Sequence, residues 1–367
     1  MVIEDLALLF VRGLGSRGIV HLIEHFGSAE EIYRTPLTDL IHIAGLRKDV
    51  AERIVAGEGM RDAEAEIRYC QKHNIIALAA TDEEYPIPLR ETSDRPHTIF
   101  VKGNIKALHQ HTISMVGTRS ASPSGLHSAD KLVFDLKAIV PDICIVSGLA
   151  FGIDGACHRA ALACRATTVA VVADTLPNVS PAPNRTMAED ILQNGGALVS
   201  ELHSKSKQNG QLFIARNRII AGISMGTIIV ESPVSGGSLA TADIADSYGR
   251  AVMAVPGRIL DNSAFGSNNL IRSGKARMIL TAKDVVEEMG WDNQLYSQVE
   301  RETRAIYDDT PPLERLVLDT LATSESLDCD ELIAATNISM GELAMTLMDM
   351  ELKGTIRCLP GKRYERA

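Results

Sequence analysis

The sequence predicts an α/β protein in which a doubly wound parallel sheet follows a helical domain and precedes a winged helix. Three patterns carry this expectation. Ahead of residue 73, amphipathic helices are joined by hydrophobic-Gly turns; from 112 to 280, short β-rich runs alternate with helices; after 312, three short helices lead into a hairpin. At 367 residues the chain has room for two or three folding units. Its 45% hydrophobic and 23% charged residues are those of a globular protein folded nearly throughout.

The first unit spans residues 1–72. "VRGLGSRGIVHLIEHFGSAEEIY" and "LTDLIHIAGLRKDVAERIVAG" each set a tight turn between helical patterns. Gly13-Leu14-Gly15 and Ala44-Gly45-Leu46 resemble the hairpin of a helix-hairpin-helix motif, whose helix-start N–H groups can hold a phosphate. Gly18 suits the first of them to close helix contact. The alternative is a pair of plain turns in a small bundle. The opening "MVIEDLALLFVRGLG" carries two acids and a short apolar run. It fits neither a signal peptide nor a membrane span, so a cytoplasmic location without a membrane partner is expected. The six cysteines (70, 144, 157, 164, 329 and 358) contain no C-x-x-C pair. They read as buried small hydrophobes, with neither a metal site nor a disulfide framework expected.

The second unit spans 75–292. "TISMV", "ICIVS", "TTVAVVA", "GALVS", "GTIIVES", "AVMAV" and "RMIL" are each followed by a turn or helix start, as in a parallel, doubly wound sheet. Ligands of such sheets sit beyond the carboxyl ends of the strands. Five polar clusters fall at those ends: "GTRSASPSG", "GLAFGIDGACH", "SELHSKSK", "SPVSGGSLATA" and "PGRILDNSAFGSNN".

In the first cluster Gly117 permits a tight turn and Arg119 offers a planar two-point donor. Ser120, Ser122 and Ser124 add hydroxyls before a helix expected from about Gly125, whose N-terminus attracts negative charge. Neither G-x-G-x-x-G nor G-x-x-x-x-G-K-[ST] occurs, so a dinucleotide site and a nucleotide triphosphatase are both disfavoured and no cofactor is expected. The second cluster places Gly148 and Gly152 at a strand end, with Asp154 as an N-cap. His158, four residues on, could form an acid/base pair with it, but a cap plus a helix-surface histidine is the commoner arrangement. The third cluster supplies Lys205 and Lys207 in a polar loop, then Arg216 and Arg218 flanking Asn217 at a helix start. These four cations look like a track for several phosphates. The fourth supplies Ser235, Gly236, Gly237, Ser238 and Thr241 at another anion-binding helix start.

Residues 293–311, polar and ending near two prolines, read as a linker. Residues 312–367 read as the winged helix. They hold ten acids against six bases, and the recognition helix "SMGELAMTLMDMELKG" carries Glu342, Asp349 and Glu351 against Lys353. A duplex would be repelled, so a protein-interaction role is expected there. Net charge is −10, yet residues 112–290 carry 16 Lys plus Arg against 15 Asp plus Glu, which leaves −11 for the remainder. A nucleic acid would therefore be held by a local patch on the middle unit.

The run "SMVGTRSASPSG", "VSGLAFGIDGACHRAAL", "SEL", "RNRIIAG", "IVES", "SGGSLATADIA", "AVPG" and "GSNNLI" resembles the DprA/Smf family of DNA-processing proteins. Upstream, "EYPIPL" and "RPHTIFVKGN" match the strand-like extension that precedes the family's Rossmann-like core. The flanking units correspond to its helical, SAM-like domain and its winged helix. The resemblance implies a single-stranded DNA-binding protein that protects incoming strands and helps load the RecA recombinase during natural transformation. It also implies a homodimer and no catalytic residue. The implied pocket residues are Arg119, Lys205 or Lys207, Arg216 and Arg218. Two positions depart from the family pattern: Phe151 stands where "GLARGID" has Arg, and Ile214 where "FPxRNR" has Pro. Phe151, Phe213 and Phe265 are the rim candidates for base stacking. Because the core also resembles nucleotide-cleaving phosphoribohydrolases, the alternative is such an enzyme, with Glu231 or Glu201 as its acid. Bracing of neighbouring loops is the plainer role for both.

Overall fold

A nine-stranded mixed sheet organises most of the chain in the computed structural model, which describes residues 1–42, 44–291, 311–321, 326–353, 355–359 and 363–366. The chain forms two compact units, Met1–Asp292 and Asn293–Ala367.

The first unit opens with six helices: α1 (Ile3–Leu9), α2 (Ser16–Phe26), α3 (Ala29–Arg34), α4 (Leu37–His42), α5 (Lys48–Val55) and α6 (Met60–His73). Leu8, Ile19, Leu22, Ile32, Leu40 and Ile54 close around one another as the bundle's own core. Helices α1 and α6 also share a core with the sheet, where Leu6, Ala63 and Cys70 join a cluster containing Phe100 and Leu198. Each large apolar side chain buried this way contributes roughly 1.5–3 kcal/mol. A buried contact of 2.7 Å between His97 Nε2 and Asp5 Oδ1 ties α1 to the sheet's approach strand.

The sheet begins with an antiparallel pair, β1 (Ile75–Ala79) and β2 (Thr98–Gly103). Between them "EYPIPL" forms the short helix α7 (Ile87–Arg90) rather than an extended segment. Pro86 accounts for this, because its fixed φ and missing N–H suit the entry to a helix. The first pair precedes β3 (His111–Gly117), α8 (Pro123–Ile139), β4 (Ile143–Ser147), α9 (Ile153–Ala163), β5 (Thr167–Val171) and α10 (Arg185–Gln193). Then come β6 (Ala197–Ser200), α11 (Gln211–Ile223), β7 (Gly226–Glu231), α12 (Gly237–Ser247) and β8 (Ala251–Ala254). The unit ends with α13 (Phe265–Arg272), β9 (Arg277–Met278) and α14 (Ala282–Glu288). All seven β-rich runs of the sequence become strands, although "RMIL" contributes only two residues.

Spatial order is β1-β2-β6-β5-β4-β3-β7-β8-β9, with β3 to β9 mutually parallel. The chain winds outward from β3 to β6, then returns to β7 and winds the other way. Winding direction therefore reverses between β3 and β7, which opens a crevice there. The return from β6 crosses the sheet and carries α11 over β3, β4 and β5, where Ile219, Ile220 and Ile223 are buried.

In the second unit α15 (Pro312–Leu321), α16 (Cys329–Thr336) and α17 (Met340–Leu352) pack around Val317, Leu332, Leu343, Leu347 and Met350. A three-stranded sheet, β10 (Leu327–Asp328), β12 (Arg363–Arg366) and β11 (Ile356–Leu359) in spatial order, completes the winged helix. The expected linker 293–311 lies outside the described residues except for Pro311. The cysteines are free; Cys70, Cys144 and Cys157 are buried as expected, whereas Cys164 and Cys329 are half-buried and Cys358 is exposed. Among the described residues no helix is long and apolar enough to cross a membrane, and no cluster of His, Cys, Asp or Glu is placed to hold a metal.

Candidate functional site

At the crevice between β3 and β7 lies a pocket of about 350 Å³. Gly117, Thr118 and Arg119 leave β3 into it, Gly236, Gly237 and Ser238 open α12 beside it, and Phe213, Arg216 and Asn217 descend from α11. The loop after β3 is fixed by its backbone. Thr118 N–H donates to the Glu231 carbonyl at 2.8 Å, and the Thr118 carbonyl accepts from Ile153 N–H at 3.1 Å. Gly152 sits at φ +74, and a Cβ there would overlap the Thr118 carbonyl and the Arg119 backbone, so glycine is required. Helix α12 starts in the pocket wall with Gly236 at its cap position, which gives its first N–H groups no side-chain acceptor. Such a helix start favours an anion.

The cations of the pocket differ in kind. Arg119 is exposed, makes no ion pair among the described residues, and holds its Cζ 6.0 Å from the Phe213 ring centroid. Arg216 is buried at 6% exposure; its Nη1 donates to the Gly148 carbonyl at 2.7 Å and to that of Val171. Burial pushes the Arg216 guanidinium down to about 10, against the opposing pull of Asp154, so it stays charged at neutral pH. Burial likewise raises the Asp154 carboxyl, while Arg216 and the N–H of Gly148, 3.2 Å from Oδ2, act in the other direction. Gly148 has no Cβ because one would lie 2.6 Å from Asp154 Oδ2 and 2.7 Å from Arg216 Nη2. The pocket thus has a fixed charge in its floor and a free one at its mouth.

Several expected positions are corrected. Helix α8 begins at Pro123, two residues before the expected Gly125, because Ser122 caps it by accepting from Gly125 N–H at 3.0 Å. Gly152, not Asp154, is the cap of α9; Asp154 is its second residue. His158 is fully buried instead of lying on the helix surface, and its Nδ1 meets Thr168 Oγ1 at 2.7 Å. Arg216 and Arg218 fall mid-helix, since α11 already starts at Gln211. Helical spacing then sends them to different clefts. Positions 213, 214, 216, 217 and 220 line the crevice pocket, whereas 212, 215 and 218 line a cleft of about 660 Å³ beside Leu14–Ile19 at the start of α2. There Arg218 pairs with Glu201 and donates to the Asp94 carbonyl at 2.8 Å.

Lys205 is drawn to α6, where it pairs with Asp62, and Lys207 is exposed. Ser120, Ser124 and Ser235 are exposed and do not line the pocket, while Ser238 Oγ donates to Ser232 Oγ at 2.8 Å. Phe265, at the start of α13, lines neither crevice pocket. Phe151 borders a smaller pocket of about 150 Å³ with Phe213, Pro181, Arg119 and Arg216. Both carboxylate oxygens of Glu231 are engaged, accepting from Ser122 N–H at 2.8 Å and from Ser263 Oγ at 2.7 Å. It braces two loops, and Glu201 holds Arg218 rather than backbone N–H groups. Thr118 and Ala150 also line the crevice and were not singled out from the sequence. Their only signal was position, one and three residues beyond the ends of β3 and β4.

Residues 76–290 match the family described as DNA recombination-mediator protein A. The chain belongs to that family. Residues 301–362 of this recombination-mediator chain match the DprA winged helix domain. Protein Smf of Escherichia coli (strain K12) is 31% identical over 310 residues, which cover 82% of this chain and 80% of that one. The DNA processing protein DprA of Streptococcus pneumoniae is 38% identical over 212 residues, 58% of this chain and 73% of its own. Among solved structures, DprA from Streptococcus pneumoniae superposes with a TM-score of 0.69 at 31% identity, covering 78% of this chain and 98% of that one. A Helicobacter pylori structure, described by the single-stranded DNA binding mode of DNA processing protein A, gives a TM-score of 0.53 at 26% identity, covering 59% and 96%. Every residue that lines the two crevice pockets falls inside the match at 76–290; Leu14–Ile19, beside the other cleft, falls outside it.

Proposed function

We propose that this recombination-mediator chain binds single-stranded DNA by its backbone at the β3/β7 crevice. The observation that carries the proposal is the exposed guanidinium of Arg119, without an ion pair among the described residues, beside the open start of α12, at the point where the winding of the sheet reverses. A guanidinium presents two parallel donors to a phosphate, and helix N–H groups add to it without sequence information. Gly117, Arg119, Asn217 and Gly236 to Ser238 are the proposed contacts; Gly148, Gly152 and Ser122 shape the loops, and Arg216 supplies field from below. Lys205, Lys207 and Arg218 lie to one side, as outer contacts that a strand would recruit. Ser120 and Ser235 would serve only a strand that runs over the rim.

In this proposal the protein protects incoming strands in the cytoplasm and helps load RecA during transformation, as a homodimer and without catalysis. Residues 1–72 and 312–367 act as accessory domains around the strand-binding part at 75–292. The engagement of both Glu231 oxygens speaks against a phosphoribohydrolase, whose acid must be free to act. The test is fluorescence anisotropy with single-stranded and duplex DNA of equal length. Tighter binding of the single strand is expected; equal or weaker binding would overturn the proposal.

A further inference from the structure

We infer that Glu66 of α6 positions the loop after β6, which carries Lys205 and Lys207, and so acts on strand binding without meeting the strand; this rests on the strand-binding proposal above. Three consecutive residues of that loop are each taken by the helical part of the first unit. The His203 ring packs on Phe10, just after α1, with ring centroids 4.3 Å apart. Ser204 donates its N–H, at 2.9 Å, to one oxygen of Glu66 and its hydroxyl to the other. Lys205 pairs with Asp62, one turn before Glu66 on α6.

Glu66 is 2% exposed, and a carboxylate is costly to bury unless hydrogen bonds replace its water. A helix that had only to pack on the sheet would be served by an apolar residue there, as it is at Ala63 and Cys70 in the shared core. Tyr69 on the same helix donates its hydroxyl to the Leu176 carbonyl at 2.8 Å, in the loop after β5. Helix α6 thus holds the loops that follow two neighbouring strands. From Lys207 to Gly210 every residue is exposed, so the anchored stretch 203–205 sets where the two lysines stand. Lys205 can leave Asp62 for a phosphate while the backbone beside it stays held. Without the anchor, a strand would have to order the loop on binding, at a cost in conformational entropy.

The experiment measures the affinity of the full chain for a single-stranded oligonucleotide by fluorescence anisotropy. Glu66→Ala should weaken binding by about threefold to tenfold, since the strand must then order the loop. Glu66→Gln should bind at least as well as wild type, because its amide can accept from the Ser204 N–H and donate to the Ser204 hydroxyl. Charge alone would make both substitutions strengthen binding, as each removes one negative charge near the lysines. In a Lys205→Ala/Lys207→Ala background Glu66→Ala should cost nothing further, a coupling that a general loss of stability would not produce. Ser204→Ala removes one of the two bonds from the loop side and should show a smaller loss; it decides the matter if Glu66→Ala does not fold. Wild-type or tighter binding by a folded Glu66→Ala, an undiminished loss in the lysine-free background, or wild-type affinity in Ser204→Ala overturns the positioning role and leaves strand binding standing. A wild-type chain that binds no single strand overturns it together with the proposal beneath it.

Discussion

Arg216 Nη1 donates to the carbonyl of Gly148 at 2.7 Å, and that bond joins the floor of the pocket to the end of β4. The same nitrogen also serves Val171, so the side chain links β4, β5 and α11. Removing it leaves two carbonyls and the Asp154 carboxylate without their cation. Arg216→Met should therefore lower unfolding stability by about 1–3 kcal/mol, the cost of buried acceptors left unpaired. Arg119→Ala, at an exposed position, should stay within about 0.5 kcal/mol of wild type. Urea denaturation of both variants checks the contrast, and equal stabilities would contradict it.

The strands were legible because period and length leave little choice. "ICIVS" and "GTIIVE" are buried at every position, as continuous apolar runs in a parallel sheet should be. The convergence of loops followed from the same sheet, since ligands collect where its strands end. What the sequence left open was depth and facing. Nothing in "RNR" says that position 216 is buried and 218 turned to another cleft, because α11 begins five residues before 216, in a segment read as loop. His158 was misplaced for a related reason. It lies on α9, whose whole start is buried between β3, β4 and β5, and a histidine satisfied by Thr168 looks like any other in sequence.

Buried His158 gives stability a defined pH dependence. Burial holds the imidazole at about 3, against an ordinary 6.5. Its folded pKa is depressed, so the unfolded chain binds the proton between those values, and stability present above pH 6.5 is lost as pH falls. At pH 5 the loss amounts to about 2 kcal/mol. Asp154, raised by burial, acts in the opposite sense, so the comparison must be with a variant lacking only the histidine. His158→Gln should show a smaller fall in melting temperature between pH 7 and pH 5 than wild type. Parallel falls in the two proteins would refute this.

The winged helix should be dispensable for strand affinity. It forms a separate compact unit, and Glu342, Asp349 and Glu351 all lie on α17. Such a helix repels a phosphate backbone. A chain ending at residue 292 should bind single strands within about tenfold, or 1.4 kcal/mol, of the full protein in anisotropy titrations. A larger loss would give the domain a direct part in binding.

Dimerisation has a physical motive as well. The crevice pocket, about 350 Å³, is small beside a long strand, and two pockets joined rigidly raise the effective concentration for the second binding event. Light scattering should report a dimer at micromolar concentration. A monomer throughout that range, with and without DNA, would count against it.

Arg119, in the crevice, and Lys205, to one side of it, should differ in weight. Arg119 is free of ion pairs among the described residues and pre-set beside a helix start, so Arg119→Ala should weaken single-strand binding by about 1–3 kcal/mol. Arg119→Lys should recover only part of this, because an ammonium keeps the charge and loses the fork. Lys205 already pairs with Asp62, both side chains being about half exposed, and must give up that partner to reach a phosphate. Lys205→Ala should therefore cost less than Arg119→Ala, while Asp62→Asn should strengthen binding at low salt by releasing the lysine. The slope of log affinity against log salt should flatten by about 0.7 for each phosphate that the variant no longer neutralises. Anisotropy titrations from low to physiological salt measure both quantities at once. A folded Arg119→Ala protein with unchanged affinity and slope would show that the phosphate is held elsewhere.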